Sequence, residues 1–476
     1  MKGSYAMKGR EPNLVLALIP LIILIGAAAM SIFYWDAGMF IPLISGIVAA
    51  CIVGKILGYQ WDDLQKALSN GVSKALPAVF ILFIIGTIIG TWILSGVIPT
   101  LIYYGLAIVN PAFFVPLVCL VTGVVSLILG SSFTSIATVG LAFIAIGQGM
   151  DFPLPLVAGA VISGAFFGDK LSPLSDTTNV APAMVGEDLF AHVRHMLWDT
   201  IPAFILSIVL YWIIGLNYVS TAASLEKIGE IMQGLEAQFV IHPLLFVVPI
   251  FTLFLMLKQY PAIPSLLLIA ALGGVTAMLV QGSNLTEVVQ AMTSGYISGS
   301  GIEEIDSLLS NGGINSMLNT IGLIIIATAL GGVLEATSVF KTIVSTIVAR
   351  IRSVGSLILS TILSTFIIAF ASGAQFLAVI LPARGFLETY KKFGLSPLNL
   401  SRSVEAAGTV GINLVPWGVP AVFAASVLGV PAIEFIPFIF FAFLVPLINI
   451  IFGYTGFSIK RIPATSSLQN TKEKIL

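Results

Sequence analysis

Apolar runs about as long as a membrane is thick follow one another along almost the whole chain. Uninterrupted runs lie near 13–34, 39–57, 75–95 and 199–217, and again near 241–258, 262–281, 316–336 and 434–457. About 20 apolar residues are enough to cross the hydrocarbon core as a helix, so each run predicts a transmembrane span. Four longer runs, 113–149, 153–186, 354–390 and 399–428, are interrupted by polar residues, Gly or Pro. They predict helices that stop and restart within the membrane. Such breaks are tolerated at that depth only where protein or a water-filled cavity satisfies the freed backbone groups.

The most polar interruption reads Gly168-Asp-Lys-Leu-Ser-Pro-Leu-Ser-Asp-Thr-Thr-Asn-Val-Ala-Pro182. Pro173 cannot continue a helical ladder, and Gly168 is expected to ease unwinding there. Two carboxylates and an ammonium at membrane depth mark a functional site by default. The break is therefore predicted to present Asp169, Asp176, Thr177, Thr178 and Asn179 to a small polar ligand. Lys170 is expected to neutralise one of the two carboxylates and leave the other for a cation or a proton. Carboxylate, hydroxyl and carbonyl oxygens suit a hard cation, and Asp176, Thr177 and Asn179 are the Na+ candidates.

Three further interruptions carry polar groups that an apolar span does not need. Ser131, Ser132 and Thr134 follow Gly130, and Ser372 and Gln375 occupy the corresponding place in the second half of the chain. Glu405, Thr409 and Asn413 recur four residues apart and so share one helical face. Gly408 and Gly411 loosen that helix, and Pro416 breaks it. Arg384 and Glu388, also four apart, predict a structural pair. His192 and His195 predict an interfacial face.

Residues 57–71 align with 281–295 at an offset of 224, and later features align at an offset near 241. The difference fits an insertion around 297–313. Lys and Arg concentrate in 55–74, 341–352 and 391–392, and are missing from 97–112, 150–152 and 282–313. The positive-inside rule places the first group in the cytoplasm and makes the two halves opposite in orientation. It also makes 113–149 and 354–390 enter and leave on one side, with arms of about 14–17 residues, short of a full span. The fold class expected is thus an all-α polytopic membrane protein of two inverted repeats. Each repeat has five transmembrane helices, one of them broken, plus one re-entrant hairpin. The repeats are 1–217 and 241–457, joined by an extracellular linker at 218–240. A cytoplasmic tail at 458–476 follows, with both termini cytoplasmic and the cytoplasmic membrane as location.

Composition narrows the function. With 58% hydrophobic and 9% charged residues, the chain requires a bilayer as solvent. A net charge of −1 argues against a nucleic-acid binder. The two cysteines, Cys51 and Cys119, sit in apolar runs and predict no disulfide framework. No phosphate-binding loop is present, against a primary pump. The three histidines lie at predicted membrane edges, against an intramembrane enzyme. No ring of repeated carbonyl motifs supports a channel. No cofactor is called for.

The 168–182 segment resembles the motif of the NhaC family of sodium/proton antiporters, which includes sodium-malate/proton-lactate exchangers. The likeness extends through Gly130-Ser-Ser-Phe-Thr-Ser135, His192-Val-Arg-His-Met196 and Leu400-Ser-Arg-Ser-Val-Glu405, and so covers most of the chain. It implies secondary transport with Na+ and H+ as coupled ions. The alternative is a sodium-coupled exchanger or symporter of a small carboxylate or amino acid. It further implies kinship with the ion-transporter superfamily, in which a transport domain moves against a scaffold. Family members often carry acidic residues where Ala374 and Ala406 stand here, so the coupling stoichiometry does not transfer. The sequence leaves the oligomeric state open.

Overall fold

The computed structural model describes residues 10–462 apart from 36, 109, 220, 221, 259, 302–305, 307 and 308. Among the described residues the architecture is helical, with a single isolated β-bridge between Leu395 and Arg461. Eight helices there are long and apolar enough to cross a membrane, or up to eleven if each strongly bent pair is one span. Large side chains such as Ile22, Ile52 and Leu279 face outward, as a lipid solvent requires. The two cysteines are free and buried.

Helices occupy the expected runs, although Leu14–Met30 and Phe40–Ile56 are short, at 17 residues each, and several segments read as loops are helical. Trp61–Leu94 is one helix of 34 residues, so the basic stretch before 75 belongs to it. Asp62 and Asp63 in its first turn complement the positive end of the helix. Val97–Ile108, Ala222–Gln238, Leu285–Ser294 and Val339–Val348 are helices as well. Leu285–Ser294 is fixed by a capping box, with Asn284 accepting from Glu287 N and Glu287 accepting from Asn284 N. Hydropathy marks such segments only as non-spanning and does not separate an interfacial helix from a loop.

Two helix–turn–helix units turn at glycines with left-handed φ, Gly130 at 66° and Gly373 at 60°. Their arms, Pro111–Leu129 with Ser132–Gly149 and Val354–Ser372 with Gln375–Lys392, hold 18 or 19 residues each. That is longer than expected, so arm length does not by itself distinguish a re-entrant hairpin from two thin spans. The first broken helix runs Leu154–Leu171, stops over Ser172–Ser175 and resumes as Asp176–Val185. The second runs Pro397–Leu414 and resumes, bent by 44°, as Val419–Leu428. Element boundaries recur 243 residues apart: Gly130 and Gly373, Leu154 and Pro397, Asp176 and Val419, and the left-handed caps Gly186 and Gly429. The insertion between the two alignment offsets overlaps residues outside the described set, as does the tail beyond 462. Residues 458–462 are docked rather than free, since Ser396 N donates to Lys460 O and Ile462 N to Gly394 O.

Gly168 does not unwind its helix. A Cβ there would lie 2.3 Å from Leu127 N and 2.4 Å from Gly123 O, and one on Gly164 would lie 2.2 Å from Cys119 O. The glycines let the Phe114–Leu129 arm pack backbone to backbone on Leu154–Leu171, the small-residue contact that drives helix association in lipid. Ser126 Oγ donates across this seam to Ala165 O at 2.5 Å. The break itself falls further along, at Pro173, and its position sets where the polar groups on either side of it lie.

Candidate ion-binding site

The end of Leu154–Leu171 carries Asp169 and Lys170 in opposite roles. Asp169 is 5% exposed and accepts from Ser132 Oγ at 2.7 Å, which ties the break to the first turn unit. Lys170 pairs with neither nearby aspartate. Its ammonium donates to both oxygens of Asp199 at 3.0 Å and to Thr200 Oγ1 at 2.7 Å, with Lys170 and Asp199 fully buried. The expected neutralisation of Asp169 or Asp176 by Lys170 is thus corrected, and both carboxylates stay available.

Asp199 also accepts from Asn449 Nδ2, and Asn449 Oδ1 accepts from Arg402 Nε at 2.9 Å. Arg402 Nη1 continues to the carbonyl and hydroxyl of Ser458. This buried chain of polar groups joins four helices. Asp199 and Asn449 each stand in an apolar run; a lone polar residue in a predicted span was the signal available for them. His192 and His195 join the same region instead of an interface: both are buried, with His192 Nδ1 2.8 Å from Ser401 Oγ and His195 Nε2 3.2 Å from Asn399 Oδ1. Arg384 does not pair with Glu388, which takes Lys391 at 3.0 Å.

Past the break, Ser175 caps the resumed helix and bonds to Thr177 Oγ1 at 3.0 Å. Asp176 stands in the first turn of the resumed helix and is exposed. Thr178 Oγ1 donates to the freed carbonyls of Asp169 and Lys170 at 3.0 and 3.2 Å. Asn179 Nδ2 donates to Pro173 O and Ser175 O at 2.9 and 2.7 Å. Thr178 and Asn179 therefore stitch the break together.

A cavity of about 500 Å³ gathers the remaining groups: Ser131, Ser132 and Thr134 from one turn, Asp169, Asp176 and Thr177 from the break, and Gln375 with Phe376 from the other turn. Ser131 caps its own turn, accepting from Thr134 N and Oγ1 at 3.3 and 3.0 Å. Ser372 does not line the cavity; its hydroxyl bonds back to Ile368 O at 2.7 Å. Gln375 Nε2 donates to Thr409 O at 3.3 Å. Glu405, Thr409 and Asn413 are buried behind that contact. Two carboxylates and several hydroxyls around one cavity are hard oxygen donors, the kind that suits a small hard cation or a proton.

Comparison with known proteins bears on this arrangement. Residues 164–457 match the model of the Na+/H+ antiporter family. The Na(+)/H(+) antiporter NhaC of Alkalihalophilus pseudofirmus is 37% identical over 443 residues, 93% of this chain and 96% of that protein. The Malate-2H(+)/Na(+)-lactate antiporter of Bacillus subtilis is 35% identical, covering 94% and 96%. The Arginine/ornithine antiporter ArcD of Halobacterium salinarum is 35% identical, covering 94% and 93%.

Proposed function

This chain belongs to the Na+/H+ antiporter family, and from that premise we propose that it is a secondary active transporter exchanging Na+ for H+. The observation that carries the proposal is Asp176, exposed to a cavity that also holds the buried Asp169, Ser132 and Thr177. A carboxylate takes one positive charge at a time, so Na+ and H+ compete for it, and competition at a shared site is how exchange is coupled. Ser132 and Thr177 add neutral oxygens for Na+. Lys170 stays with Asp199 and does not quench the site.

The finer architecture belongs to the same reading. The recurrence of boundaries at 243 residues supports two repeats, 1–217 and 241–457, and the loop charges support their inversion across the cytoplasmic membrane, with both termini inside. On this topology the two turn units are re-entrant and their turns meet at the cavity from opposite sides. The uninterrupted helices serve as scaffold, by fold analogy.

One observation favours an organic co-substrate as the second reading. A cavity of about 330 Å³ shares Phe133, Gln375 and Phe376 with the ion cavity and is lined at its far side by Lys74, Glu335 and Arg384. Glu335 is paired with Lys74 at 2.7 Å, which leaves the Arg384 guanidinium to meet a carboxylate. Sodium pulses on proteoliposomes test the primary reading: Asp176→Asn protein that reaches the membrane is expected to move no protons in response to Na+. Exchange at the wild-type rate in that variant would remove Asp176 from the mechanism.

A further inference from the structure

We infer that Glu405, Thr409 and Asn413 form a second sodium site, closed off from the Asp176 cavity and built from oxygens alone; the inference rests on the Na+ reading above. Glu405 and Thr409 have no exposure and Asn413 has 1%. Both carboxylate oxygens of Glu405, Thr409 Oγ1 and Asn413 Oδ1 are buried without a partner in good hydrogen-bond geometry, and Thr409 Oγ1 faces the Glu405 carboxylate. Buried polar atoms are almost always satisfied, and a buried carboxylate most of all. Four such oxygens, gathered where the helix passes through a π-turn into a 3-10 turn, leave one carboxylate and two neutral donors for a cation.

The local backbone explains why these atoms are free. Thr91, Thr328, Thr361 and Thr365 spend their hydroxyls on the carbonyl four residues earlier. Thr409 lies in the π-turn Ala406–Val410 and makes no such bond. Asn413 Nδ2 donates to Val410 O at 2.9 Å, which fixes the amide with Oδ1 outward. Lys170 is engaged by Asp199 and Thr200, and Arg402 by Asn449 and Ser458 through Nε and Nη1, with its buried Nη2 meeting no partner and so not neutralising Glu405 by a hydrogen bond. One carboxylate with two neutral oxygen donors matches a single monovalent hard cation better than a divalent one, which draws more carboxylates. Gln375, in the wall of the cavity, holds the carbonyl of Thr409 and so stands between the two sites.

The test is 22Na+ binding to the purified protein in detergent at one fixed pH. Wild type is expected to bind at two sites, and Asp176→Asn to keep the site at Glu405. Glu405→Gln should lose that site, and Thr409→Val, which changes neither size nor charge, should weaken it by about tenfold or more. Wild-type binding by both Glu405→Gln and Thr409→Val overturns the inference. If Glu405→Gln does not yield monodisperse protein, Thr409→Val decides alone. Failure of the exchange reading looks different: wild type would bind Na+ at this site yet show no Na+-driven proton movement in proteoliposomes.

Discussion

At the scale of single residues, the partner of Lys170 decides how the site is read. Asp199 and Thr200 take the ammonium, so Asp169 is held by hydroxyls, Ser132 first, and not by a cation, and is free to act with Asp176. Asp169→Asn is accordingly expected to lower Na+/H+ exchange at least tenfold in Na+-pulse assays, since no lysine masks that charge. Asp199→Asn strands a fully buried lysine, a change that costs about 3–5 kcal/mol. The double change Lys170→Met with Asp199→Leu should lose less, and thermal unfolding in detergent separates the two. The sequence singled out Asp169, Asp176 and Ser132, which line one cavity, because carboxylates and hydroxyls in an apolar run need a reason to be there. It paired Lys170 with the wrong acid because the true partner lies 29 residues away, on a helix whose inward face hydropathy cannot identify.

Among elements, the glycine turns and the helix breaks do the positioning. Gly130 needs both its left-handed φ and its missing side chain, because a Cβ would lie 2.5 Å from Leu174 Cβ at the break. Gly186 has a similar φ, 76°, with open space around it. Gly130→Ala should therefore weaken apparent Na+ affinity in transport assays, whereas Gly186→Ala should show only the backbone penalty, about 1–2 kcal/mol. Where the breaks occur was legible from Pro173 and Pro416, but Gly168 was misread because a packing glycine and an unwinding glycine look alike in a sequence. Outside the spans, hydrogen bonds from Ser298, then from the hydroxyl and N–H of Ser300, hold the Asp306 carboxyl down at about 2. Its folded value is below the ordinary one of about 3.9. The turn is thus fully supported above that ordinary value and loses support as pH falls toward about 2. Hydrogen exchange at Ser300 N should stay slow down to mildly acidic pH in wild type and become fast at neutral pH in Asp306→Asn.

For the whole molecule, the helical architecture and its membrane setting were legible because apolar run length answers directly to bilayer thickness. Orientation is read from loop charge alone. Single-cysteine labelling in a background lacking Cys51 and Cys119 should reach 282–301 from outside, and 341–352 only after permeabilisation. Labelling of both 55–74 and 282–301 from one side would remove the inversion. The central claim is exchange of Na+ for H+ without any other solute. The most direct measurement reconstitutes the wild-type protein in liposomes containing only buffer and salt, and imposes the two gradients in turn. An inward Na+ gradient should drive protons out, and an outward proton gradient should by itself accumulate 22Na+ inside. If neither flux appears until a small carboxylate or amino acid is added, the protein is a solute exchanger, and Na+/H+ exchange at the Asp176 cavity is contradicted.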